Sequence, residues 1–175
     1  AYIAIIYTPF RLARLVSFRD PFAPEFELSS GWQLSNALIG IGRGDLFGIG
    51  LGNSIQKNLY LPEPHTDFIF AIILEETGII GGFLLMLLFI LLITSIVQIS
   101  FDALRQNRLF QGYVCFGIGS LLSIQSIFNI GVNIGLLPTK GLTLPFISYG
   151  GASLIIFMLM MGIVFRVDFE NRNLD

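Results

Sequence analysis

Glu63, His65 and Asp67 place a carboxylate, an imidazole and a second carboxylate within five residues, inside Leu61-Pro-Glu-Pro-His-Thr-Asp-Phe-Ile-Phe-Ala71 and just ahead of an apolar stretch. A carboxylate at a water–membrane boundary can be pushed by a low-dielectric wall toward the basicity a general base needs, whereas a solvated one stays weak. The competing reading is a helix start. Thr66 or Asp67 would cap it, and Glu75 and Glu76 would follow in its early turns. On local chemistry the cap is the better of the two. A metal held by Glu63, His65 and Asp67 is weakly supported, because alternating positions of an extended segment converge poorly on one ion.

Two further groups are out of place among apolar neighbours. Lys140 lies in Leu137-Pro-Thr-Lys-Gly-Leu-Thr-Leu-Pro145, where an ammonium can bind a headgroup or pyrophosphate, or simply snorkel to an interface. Gln125, Asn129 and Asn133 recur every fourth residue, which keeps three amides on one helical stripe. In a bilayer they must face the bundle interior, as interhelical glue first and as cavity lining second. Gly131 and Gly135 invite a close approach by another helix.

The elements that carry these residues follow from composition. Of ten basic and twelve acidic residues, only Asp102, Arg105, Arg108 and Lys140 fall between Thr77 and Phe165, and 54% of the chain is hydrophobic. Such a stretch belongs in a membrane. With no basic excess, nucleic acid is a poor partner. The single Cys115 excludes an internal disulfide.

Ile79 to Ile99 carries no charge and is long enough, at about 1.5 Å per residue, to cross a hydrocarbon core of about 30 Å. The expected organisation is a truncated membrane helix over 1–9, a large extracytoplasmic loop over 10–67 and a spanning helix over 68–99 with a polar outer end. A cytoplasmic link over 100–111, a span over 112–137, a second outer loop over 138–150, a span over 151–165 and a cytoplasmic tail over 166–175 complete it. The fold class is therefore all-α, a polytopic membrane helix bundle. The third span is short, so either its helix starts nearer Ser148 or residues 145–151 enter the membrane as irregular backbone. The orientation follows the basic residues of the short loops, Arg105, Arg108, Arg166 and Arg172 against Lys140. Since the chain opens on Ala and an apolar piece without a positive leader, it reads as the C-terminal part of a larger polytopic protein.

Within the large loop, Gly31 to about Ile41 reads as a helix capped by Ser29 or Ser30. The triplets Gly40-Ile-Gly-Arg-Gly44 and Gly48-Ile-Gly-Leu-Gly52 read as flexible turns; no GK[ST] follows to make a phosphate loop.

Three stretches carry a resemblance to a known family: Gly48 to Lys57, Leu61 to Ala71 with Glu75-Glu76, and Asn129 through Leu144 into Pro145-Phe-Ile-Ser-Tyr-Gly-Gly151. The chain resembles the C-terminal part of the FtsW/RodA (SEDS) glycosyltransferases, membrane proteins that polymerise lipid II into glycan strands. Pro138-Thr-Lys-Gly-Leu-Thr-Leu-Pro145 is similar to the division branch rather than the elongation branch. The resemblance implies ten spans, of which this chain holds the end of the seventh and the last three. It reverses the local preference at Asp67, which becomes the catalytic general base. Lys140, Glu63, His65, Ser148 and Asn129 become the substrate-binding set. It also implies lipid II as substrate, a class B penicillin-binding protein and other division proteins as partners, and a place in the bacterial inner membrane at the septum. No metal ligand set is assigned, and a divalent cofactor stays open. A lipid-precursor flippase or a non-catalytic scaffold are the rival functions.

Overall fold

The computed structural model describes residues 18, 20–23, 31–56, 66–139 and 141–173. Residues 1–9, Ser29, Ser30, Glu63, His65 and Lys140, all singled out above, lie outside the described residues. Four helices follow in chain order: α1 (Trp32–Gly44), α2 (Ile69–Arg105), α3 (Leu109–Asn133) and α4 (Gly151–Asn173). No strand occurs among the described residues. Helices α2, α3 and α4 are each long and apolar enough to cross a membrane. They run up and down, with α1 packed on the Asp67 end of α2.

Ile96 and Ala103 of α2, Cys115, Ile118 and Leu122 of α3, and Phe157, Val164 and Val167 of α4 form the core where the three long helices meet. At the far end of the bundle Asn171 binds the carbonyl of Ile99, and Gln106 binds that of Asn171, each at 3.0 Å. Helix α4 continues to Asn173, beyond the apolar run that stops at Phe165. Its last turns carry the pairs Arg166–Glu170 and Asp168–Arg172 at 2.8 and 3.1 Å, whose i,i+4 spacing keeps a charged helix wound outside an apolar environment. It begins only at Gly151. Residues 141–150 are irregular backbone, of which Leu144, Pro145 and Ser148 are buried.

Two helices end alike. After α2, the N–H groups of Asn107 and Arg108 bind the carbonyls of Leu104 and Ala103, with Asn107 at φ 59°. After α3, the N–H groups of Gly135 and Leu136 bind the carbonyls of Val132 and Gly131, with Gly135 at φ 73°. Both are Schellman caps, which need a residue that tolerates the left-handed region. Gly131 and Gly135 are thus not a helix-crossing pair. Gly131 faces Leu137 of its own following turn, while Gly135 faces Leu34 and Leu38 of α1.

The close glycine contact is elsewhere. Helix α1 runs on through Gly40-Ile-Gly-Arg-Gly44, so the first triplet is helical rather than a turn, and its cap position is Gly31. Gly40 and Gly44 share one face and are buried against α2. A Cβ on Gly44 would lie 2.9 Å from the Cα of Glu75, and one on Gly40 would lie 3.6 Å from its carboxylate. Small residues four apart admit this approach, as they do between membrane helices.

Helix α2 is broken at Gly78 (φ 72°, ψ −174°), a conformation open essentially to glycine alone. The break strands the carbonyls of Glu75 and Glu76 and the N–H groups of Ile79 and Ile80, which would otherwise pair with one another. Residues 45–50 take all four. Ile49 and Gly50 donate to the carbonyls of Glu75 and Glu76 at 3.0 and 3.1 Å, and Ile79 and Ile80 donate to those of Asp45 and Leu46 at 3.0 and 3.3 Å. The second glycine triplet is therefore a fixed splice into the helix. Gly48, at φ 78°, presses on the Glu76 carbonyl too closely for any side chain.

Candidate functional site

Asp67 stands immediately before α2, whose N-cap is Phe68 with no side-chain cap hydrogen bond. The capping work is done from another helix. Oδ1 of Asn133, at the end of α3, accepts from the Ala71 N–H at 2.9 Å, and its Nδ2 donates to the Asp67 carbonyl at 2.9 Å. Neither Thr66 nor Asp67 occupies the cap position, which removes the local reading of Asp67 as a cap. Asn133 is fully buried, so its amide satisfies first-turn groups that water does not reach.

The other two amides of the stripe hold the second loop. Asn129 donates to the carbonyl of Leu142 at 2.5 Å and to that of Asp67 at 3.2 Å. Gln125 donates to the Thr143 carbonyl at 3.0 Å. From within that loop, Ser148 Oγ donates to the Thr66 carbonyl at 2.6 Å and accepts from the Leu144 N–H at 2.7 Å. The stripe faces the interior, and it glues both the first turn of α2, through Asn133, and loop backbone, through Asn129 and Gln125. Segments 66–67 and 142–148 are thereby fixed to each other and to α3.

The Asp67 carboxylate lies along the second loop, with Oδ2 3.2 Å from where a Cβ on Gly141 would sit. Gly141 follows Lys140 in the chain, so the spacing brings a carboxylate next to the loop that carries the lysine. Asp67 is half-buried and Gly141 exposed, which leaves the carboxylate at the rim of the bundle. Asn129 and Ser148, by contrast, are 1% and 6% exposed, and their polar atoms are engaged by protein backbone. Among the described residues no group of three or more His, Cys, Asp or Glu side chains is arranged to hold a metal.

One polar contact escapes sequence reasoning altogether. Glu75 is fully buried two turns into α2, where Ser54 Oγ donates to Oε2 at 2.5 Å and the Ile55 N–H donates to Oε1 at 3.3 Å. It ties residues 54–55 of the long loop to the helix that starts at Asp67. Nothing in the Glu75-Glu76 pair distinguishes the anchored acid from its neighbour. Asn133 had a better signal, as the last amide of the stripe beside the helix end.

A family model describing cell cycle proteins of the FtsW/RodA/SpoVE type matches residues 1–173. The chain belongs to this family. A relative in Coxiella burnetii described as probable peptidoglycan glycosyltransferase FtsW is 54% identical over 168 residues, covering 96% of this chain and 45% of the relative. A relative of the same description in Marinomonas mediterranea is 55% identical over 163 residues, covering 93% and 40%. A chain from a solved peptidoglycan synthase complex, described as coordinating polymerization and crosslinking, superposes with a TM-score of 0.68 at 26% identity, over 98% of this chain and 45% of that one. This chain thus spans less than half the length of these FtsW/RodA/SpoVE relatives. Family and helices together make it part of a multi-pass membrane protein.

Proposed function

We propose that the whole protein is a peptidoglycan glycosyltransferase that polymerises lipid II at the division septum, and that this chain supplies its general base, Asp67. The observation that carries the assignment is the clamp around Asp67. Its backbone is held by Asn129 and Asn133, the preceding carbonyl by Ser148, and its carboxylate lies against Gly141 at the bundle rim. A base works when it is fixed within hydrogen-bond reach of the proton it takes. The relatives' description as peptidoglycan glycosyltransferases supports the same reading.

In the proposed step Asp67 takes the proton of the acceptor sugar's 4-hydroxyl as that oxygen forms a bond to the donor's anomeric carbon. The bond from that carbon to the lipid pyrophosphate breaks, and the pyrophosphate leaves with the electron pair. Lys140, one residue from Gly141, is the cation for the leaving pyrophosphate, a role suited to a compact ammonium. Glu63 and His65, just before Asp67, complete the substrate surface. Asn129 and Ser148 serve as positioning residues, since their hydrogen bonds already go to the protein's own backbone. A proton acceptor at an outer rim suits chemistry on the outer surface, with the Arg105 and Arg172 end in the cytoplasm. The proposed partner is a class B penicillin-binding protein, in the bacterial inner membrane.

The test is polymerisation of purified lipid II by the full-length protein with its class B partner. Glycan strands support the proposal. Movement of lipid II across vesicles without polymer would replace it with the flippase reading.

A further inference from the structure

Residues 45–52 take no part in the clamp, and among the described residues of the long loop they are the most exposed apolar segment. Leu46, Phe47 and Leu51 are 51%, 81% and 80% exposed. Nothing from Leu46 to Gln56 is charged, and the exposed Arg43 and Asp45 stand just before it. We propose that this segment inserts Leu46, Phe47 and Leu51 among the acyl chains of the leaflet on the Asp67 side, as a wedge spliced onto α2.

Two independent features fit a lipid occupant. The first is continuity. The segment is bonded to Ile79 and Ile80, the opening residues of the uncharged run, which with Phe83 are themselves 52%, 53% and 63% exposed. Its apolar side chains therefore continue the exposed apolar surface of α2. The second is backbone chemistry. Irregular backbone enters hydrocarbon only when its polar groups are satisfied within the protein. Here the carbonyls of Asp45 and Leu46 and the N–H groups of Gly48, Ile49 and Gly50 are all bonded, the last two by carbonyls that the Gly78 break released. That pairing repairs the Gly78 break and at the same time removes these groups from any need of water, and three exposed large apolar side chains in six residues are out of place in water.

The test uses the full-length protein in vesicles of phosphatidylethanolamine and phosphatidylglycerol. Nitroxide labels are placed through Phe47→Cys, Leu51→Cys and, as a water-facing control, Asn53→Cys. Relaxation is read against oxygen, which concentrates in hydrocarbon, and a nickel chelate, which stays in water. Labels at 47 and 51 are expected to show an oxygen-to-chelate ratio several-fold above that at 53. A ratio equal to the control means a solvated loop and overturns the proposal. Immobilised labels that neither reagent reaches mean that protein covers the segment, which overturns it too. Because both positions are exposed, neither variant removes a packed side chain, and agreement between them guards against a local disturbance at one.

Discussion

Asn133 closes the first turn of α2 on behalf of Asp67: one amide group accepts from Ala71 and donates to the Asp67 carbonyl. The start of α2 thereby takes its cap from α3, and Asp67 is held there by its backbone. The arrangement makes Asn133 a positioning residue with no reach to substrate of its own.

Asn133→Ala strands the Ala71 N–H and part of the Asp67 carbonyl's bonding in a buried site, where each unsatisfied group costs about 1–3 kcal/mol. Thermal unfolding in detergent should show the loss. Asn133→Asp keeps the acceptor for Ala71 but sets a carboxylate oxygen against the carbonyls of Asp67 and Asn129 in a fully buried site, so it should destabilise further than alanine. Turnover of the alanine variant, measured well below its melting temperature, should still be reduced; unchanged turnover there would reduce Asn133 to packing.

Gly78 is the hinge of the splice. Gly78→Ala forces a side chain into a region that costs about 1–3 kcal/mol and into the backbone of Leu46 and Gly48. Limited proteolysis should then cut residues 45–52 faster while the far end of α2 stays protected. An unchanged cleavage rate there would mean that α2 and the splice tolerate a straight helix.

Glu75 anchors Ser54 and Ile55. Glu75→Gln retains shape but replaces one carboxylate oxygen by an NH2 donor, so a charge-assisted bond at that position is lost or must reverse direction, at a cost of about 1–3 kcal/mol. Ser54→Ala combined with it should be less than additive in unfolding free energy, because both remove the same bond. Full additivity would contradict the contact.

Lys140 is assigned to the leaving pyrophosphate. Lys140→Ala should weaken lipid II binding about ten- to a hundredfold, a charge-assisted contact contributing about 1.5–3 kcal/mol, and Lys140→Arg should recover part of it. Binding unchanged by alanine would return Lys140 to snorkelling.

The three long helices were legible because uncharged runs of that length have few alternatives, and so was the inward stripe, because amides at i, i+4 cannot face lipid. The limits of legibility have physical causes. Gly78 sits beside the longest apolar run and reads as part of it; the groups that repair its break come from residues 45–50, a pairing no local window contains. Gly40 and Gly44 looked like turn glycines because their helical neighbours Ile41 and Arg43 give no strong period. Helix α4 outruns its apolar stretch because Arg166–Glu170 and Asp168–Arg172 continue it by ion pairing. At the site, Asp67 was marked by its neighbours and by resemblance, whereas local rules alone favoured a cap that Asn133 in fact provides.

The most direct measurement is glycan synthesis from lipid II by full-length Asp67→Asn with the proposed class B partner. Asparagine keeps the side chain's size and leaves the backbone clamp from Asn129, Asn133 and Ser148 in place, but it cannot take a proton. Polymerisation is predicted to fall about a hundredfold or more, in line with the loss of a general base, with partner binding and melting temperature unchanged. A variant that folds, binds its partner and polymerises at near the original rate would contradict the assignment of Asp67.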